Sequence, residues 1–170
     1  MKPLKMLWNL LLKAESAIMM AASIGVVLLV FVSVLMRYIL EKNTGGMEEL
    51  IVIVATWIYF IGGAYGSYEN SHITADFISV FIHKEKTKEI VAALRLLVSL
   101  IILIGASYCA LELFMYTAQK SSATPVLKIP RMIVYLPVYI GILLMTFYTA
   151  VHFVNSVLVI MGKKEKEVVS

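Results

Sequence analysis

Four long apolar runs, separated by short polar stretches, dominate the chain. The first extends from about Ser16 to Leu40, with no charged residue between Glu15 and Arg37. The second runs from Leu50 to Tyr68. The third runs from about Ile90 to Ala118, with Arg95 and Glu112 inside it, and the fourth from about Met132 to Met161, interrupted only by Pro137 and His152. A membrane-spanning helix needs roughly 20 mostly apolar residues, whereas a buried strand takes only about 4–8. The pattern therefore predicts an all-α integral membrane protein whose four transmembrane helices lie at about 16–40, 50–68, 90–118 and 132–161, in one membrane domain over 1–170. At 1.5 Å rise per residue the last two runs could exceed about 40 Å, so they must tilt, kink or project beyond a hydrocarbon core of about 30 Å. Lys2 and Lys5 ahead of the first run resemble the charged region of a secretion signal. That run is too long for one and ends in Met36-Arg37-Tyr38 without a small-residue cleavage site, so a retained helix is expected.

The stretches between the runs carry their own patterns. His72, Asp76, Ser79 and His83 fall on one face of a helix, with Ile73, Phe77, Ile78, Val80, Phe81 and Ile82 covering much of the rest. A short interfacial amphipathic helix over 72–83 is the expectation, too short to span. Imidazole and carboxylate at His72, Asp76 and His83 suit zinc, but no fourth ligand is nearby, so a wetted polar face is the better reading and no metal is expected. Asn43-Thr44-Gly45-Gly46 makes a turn before the second run. Glu48 and Glu49 then fall in the first helical turn, where carboxylates complement the helix dipole or pair with a base such as Arg37. Between the third and fourth runs, Pro125 and Pro130 stiffen an extended connection.

Composition adds the solvent. Hydrophobic residues make up 61% of the 170 and charged residues only 15%, against about 45–50% and 25% in soluble domains. The excess exceeds what one globular core can bury, so lipid covers much of the surface. The net charge of +4 is modest and the bases sit at the ends of apolar runs, which points to a membrane surface and away from nucleic acid. The single cysteine, Cys109, excludes an intrachain disulfide and is expected to pack as a small hydrophobe. Charge also orients the chain. Lys2, Lys5, Lys13, Lys84, Lys86, Lys88, Arg95, Lys163, Lys164 and Lys166 lie on one side, and Arg37, Lys42, Lys120, Lys128 and Arg131 on the other. Ten bases against five place both termini in the cytoplasm. Trp8, Tyr38, Tyr65, Tyr68, Tyr116 and Tyr135 fall near the interfaces this orientation implies.

Candidate functional groups are few. Gly62 and Gly66 have the small-x-x-x-small spacing that lets another helix approach closely. Ionisable groups inside a span are functional suspects, but Glu112 is expected near the external headgroups, His152 near the internal ones, Arg95 within snorkelling reach and Glu15 at the cytoplasmic mouth. With no carboxylate expected at the midplane, the pattern lacks an ion-coupled transport path.

Arg37-Tyr38, Glu48-Glu49-Leu50, Trp57, Gly62-Gly63-Ala64 and His72-Ile73-x-x-Asp76, followed by Ser122 to Pro130 and then Tyr135, Pro137 and Gly141, together resemble the small membrane subunit (DctQ-type) of tripartite ATP-independent periplasmic (TRAP) transporters. The resemblance covers about Ser16 to Met161, and the order and spacing of the patches give it specificity. It departs at Tyr68-Glu69-Asn70, where a basic residue is often found, and in the spacing of Pro137 and Gly141, which bears on the subfamily. The resemblance implies a location in the bacterial inner membrane and two partners: a large membrane transport subunit (DctM-type) holding the substrate and sodium sites, and a periplasmic substrate-binding protein (DctP-type). It implies sodium-driven import of an organic acid anion of C4-dicarboxylate or sialic acid type, with this chain bracing the moving subunit. It implies no catalysis and no cofactor. The residues expected to serve the partner interface or the fold are Arg37, Glu48, Glu49, Trp57, Gly62, Gly66, His72, Asp76, Pro125, Pro130 and Tyr135.

Two other classes compete. A self-sufficient four-helix exporter needs a carboxylate within a helix to exchange protons, and Glu15 is the nearest candidate. A haem-holding anchor of a redox enzyme needs two placed imidazoles, and only His152 lies in a span.

Overall fold

The computed structural model describes residues 2–41, 43–69, 85–120 and 122–161. Within them lie four helices: α1 (Lys2–Tyr38), α2 (Gly45–Tyr68), α3 (Glu85–Lys120) and α4 (Arg131–Ile160). All four are long and apolar enough to cross a membrane. The β-branched stretches Ile24–Val34 and Leu50–Val54 would favour strands in water. In lipid every backbone amide and carbonyl must be satisfied within the segment, so these sequences become helix. The amphipathic stretch expected over 72–83, with His72 and Asp76, lies outside the described residues.

The helices overrun the apolar runs that announce them. α1 begins well before Ser16, because Leu, Lys, Met and Trp in its first turns are good or neutral helix formers and Pro3 falls where the helix needs no amide donor. It stops at Tyr38, short of the expected Leu40. The amides of Ile39 and Leu40 both turn back onto the Leu35 carbonyl, at 2.9 and 3.3 Å, and Glu41 takes a left-handed conformation with φ 47°. α2 starts at Gly45, five residues before the apolar run, because the Asn43 side chain accepts the Gly45 amide at 3.0 Å. At 37 and 36 residues, α1 and α3 are about 55 Å long, so their ends must lie beyond the hydrocarbon or the helices must tilt.

The four helices form a row in the order α1, α2, α4, α3, each packed on its neighbours. The α1–α2 seam is fitted at Gly62, where an added Cβ would stand 3.5 Å from the Met19 sulfur, and at Gly25, 3.8 Å from Val54. The α2–α4 seam is tighter: a Cβ on Gly141 would come within 2.6 Å of the backbone oxygen of Phe60. On the α3–α4 seam the Ser107 and Thr146 hydroxyls meet at 2.8 Å, and Phe114 stacks on Tyr139 at 5.4 Å. Buried residues concentrate on the two central helices: Ile61, Ala64 and Ser67 of α2, and Pro137, Gly141, Tyr148 and Thr149 of α4. The broad faces of the row stay apolar and exposed, as a membrane or a protein partner requires.

Candidate functional site

At the end of the bundle where α1 stops and α2 begins, two adjacent carboxylates do different work. The first turn of α2 holds Glu48, whose Oε1 lies 3.8 Å from the Arg37 guanidinium at the end of α1. Both side chains are more than half exposed, so this pairing joins α1 to α2 only weakly. Glu49 reaches across to the α3–α4 loop. Its Oε1 accepts the Val126 amide at 2.8 Å and its Oε2 the Leu127 amide at 2.9 Å. A carboxylate holding two adjacent amides is a charge-assisted, bidentate clamp.

The loop is built to be held. Ala123 and Pro130 form an antiparallel bridge, the Thr124 amide donates to the Ile129 carbonyl at 2.9 Å, and the Arg131 amide donates to Ser122 at 2.8 Å. The Thr124 hydroxyl accepts the Ile129 amide at 3.1 Å, and Lys128 turns the chain with φ 57°. Leu127 rests on the start of α2, where an added Cβ at Gly46 would meet its Cδ2 at 3.1 Å. The prolines thus flank a closed hairpin-like loop, with Pro125 exposed at its tip and Pro130 at its base. An open cleft of about 400 Å³ separates this loop from α2, lined by Gly45, Glu48, Glu49, Val52 and Val126 among others.

A second cluster sits at the opposite end. Glu15 of α1 is 2% exposed. Its Oε1 accepts the Tyr148 hydroxyl at 2.6 Å, while its buried Oε2 has no partner. Trp8 packs on Tyr148 and Tyr68 with ring centroids at 5.3 and 5.7 Å, Tyr68 lies 5.7 Å from Tyr148, and Phe147 closes the group. The His152 Nε2 meets the Tyr68 carbonyl at 2.8 Å, satisfying one of the carbonyls that every helix C-terminus leaves open. Glu15 is thus buried beside the last turn of α2 and ties α1 to α4.

The remaining expected residues are dispersed. Trp57, Gly66 and Tyr135 are half-buried within their helices. Gly62 meets α1 of the same chain. Among the described residues no three His, Cys, Asp or Glu side chains converge. Sequence reasoning passed over the Glu15–Tyr148 bond and the Glu49 clamp. An ionisable residue inside a run of helix was the available signal for the first; only the folded loop could reveal the second.

Residues 26–159 match the family model described as tripartite ATP-independent periplasmic transporters, DctQ component. A search of curated proteins returned no match.

Proposed function

Since the chain belongs to the DctQ component family of TRAP transporters, we propose that it is the scaffold subunit of a sodium-driven importer of organic acid anions. It is a transporter component and not an enzyme. In this reading a large DctM-type subunit carries the substrate and sodium sites. A DctP-type periplasmic protein delivers a C4-dicarboxylate or a sialic acid. The chain resides in the bacterial inner membrane with both termini in the cytoplasm, in keeping with its ten-to-five split of Lys and Arg.

The observation that carries this reading is the row of helices. A substrate path needs a polar cavity between helices near the midplane. A row packed neighbour to neighbour offers two broad faces and narrow seams instead, the geometry of a brace. The seams are closed by glycine contacts and by small hydroxyls. A buried carboxylate such as Glu15 would favour a self-sufficient, proton-exchanging transporter, yet it is held by Tyr148, on which Trp8 packs, and links two helices. Reconstitution separates the two. Alone in liposomes, the chain should move no organic acid under a sodium or proton gradient, and uptake should require the large subunit and the binding protein. Uptake by the lone chain would refute the scaffold assignment.

A further inference from the structure

Glu112 stands on the side of α3 turned away from its neighbour. The residues of α3 that meet α4 or are covered by it, Leu96, Ser107, Ala110, Phe114 and Thr117, recur at helical spacing on one side. At 100° per residue, Glu112 falls diametrically opposite them, in line with Ile101, Gly105 and Tyr108. Glu112 is exposed, and no hydrogen bond or ion pair engages it among the described residues. A Cβ at Gly105 would meet nothing within 4 Å.

The contacts also fix its height in the bundle. Ser107 faces Thr146 and Phe114 faces Tyr139, so the antiparallel register sets Glu112 level with Gly141. Gly141 in turn abuts Phe60 of α2. Phe60 is about 18 Å along α2 from Glu48 at the external end and about 12 Å from Tyr68 at the internal end. By that register Glu112 stands about 12 Å or more from either end of α2, a height that a hydrocarbon core of about 30 Å would cover. A carboxylate turned outward at that depth meets lipid chains, which offer it no partner.

We infer that this face of α3 docks against a transmembrane helix of the large subunit that presents an arginine or lysine to Glu112, an assignment that rests on the scaffold reading above. Charge complementarity selects the occupant. A second copy of the chain would bring another carboxylate, and no base lies between Arg95 and Lys120 to answer it. A guanidinium or ammonium satisfies the carboxylate, and the open backbone at Gly105, two turns away, lets the two helices come close.

Cys109, the only cysteine, is exposed beside Glu112 and reports on this face. The test uses the chain alone and co-expressed with its large subunit, in native membranes, with dicyclohexylcarbodiimide, which dissolves in lipid and adds to carboxyl groups held there. In the complex, labelling of Glu112, read by mass spectrometry of its peptide, should fall several-fold relative to the lone chain. Glu112→Leu suits lipid better than the native residue, so the lone chain stays inserted, yet capture of the large subunit should drop about ten-fold. Glu112→Gln, which keeps hydrogen-bonding atoms, should lose less. If the wild-type complex forms while Glu112 reacts as freely as in the lone chain, the face is wrong. An oxidant-induced Cys109–Cys109 bond would give the face to a second copy and overturn the proposal. If the wild-type chain captures no large subunit, the scaffold reading itself falls, and this inference with it.

Discussion

Two glycines on the α2–α4 seam should respond in opposite ways to the same substitution. A Cβ added at Gly141 would lie 2.6 Å from the Phe60 oxygen and 2.8 Å from its carbonyl carbon. Ordinary contacts begin near 3.4 Å, so α2 and α4 must part by most of an ångström, and backbone cannot swing aside. Parting them loosens packing around Ile61, Ala64 and Tyr148, which are nearly or wholly buried. Overpacking of this kind costs about 1–3 kcal/mol, less up to about 1 kcal/mol gained by alanine over glycine in a helix. Gly141→Ala should therefore destabilise by up to about 2 kcal/mol. At Gly63 an added Cβ collides with the Met145 methyl, formally a closer clash. That methyl ends a flexible thioether chain that can rotate away, so Gly63→Ala should be neutral or mildly stabilising. The assay is thermal unfolding of the purified chain in detergent, read as the monodisperse fraction surviving a temperature series. Equal losses for the two variants, or a greater loss at Gly63, would refute the claim that backbone contact, and not mere proximity, closes this seam.

Three further outcomes are expected. Tyr148→Phe leaves both Glu15 oxygens unpartnered in a buried site and should cost about 1.5–3 kcal/mol in the same assay, whereas Glu15→Leu in the Tyr148→Phe background should recover much of it; equal stability of native and Tyr148→Phe chains would dismiss the bond as incidental. Glu49→Ala should speed hydrogen exchange at the Val126 and Leu127 amides while leaving exchange inside α4 unchanged, and unaltered exchange at those two amides would remove the clamp. Against a Cys109→Ala background, Asn43→Cys and Ser122→Cys should react with an impermeant thiol reagent from the periplasmic side and Lys86→Cys should not; the reverse pattern would invert the topology.

The four helices were legible because each leaves a long apolar signal that lipid makes decisive: no other backbone conformation satisfies its own hydrogen bonds there. Their ends were less legible, because the ends are set by local polar events. Asn43 catching the Gly45 amide and the left-handed turn at Glu41 leave no trace in hydropathy. The lateral order α1, α2, α4, α3 was not legible at all. Glycine spacing singled out Gly62 and Gly66 as places of close approach, and Gly62 does meet a neighbour, but the neighbour is α1. The tightest approach to backbone falls at Gly141, which no small-residue repeat marks and whose partner is Phe60.

The ionisable residues show why hydropathy misreads function most where function matters. Along the sequence, Glu15, Glu49 and Glu112 are alike: carboxylates at or inside apolar runs. What separates them is the azimuth of each side chain and the register of its helix. Glu15 faces inward and finds Tyr148. Glu49 faces the loop that returns from α3 and holds two of its amides. Glu112 faces outward at a depth set by two contacts on the far side of its own helix, Ser107 with Thr146 and Phe114 with Tyr139. Two of the three find hydrogen-bond partners within the chain and so bear on its fold. The third is left to whatever lies against α3. A membrane subunit built as a brace has reason to carry such a group, since lipid supplies little apolar driving force between helices and a polar contact must fix which helix docks, and at what height.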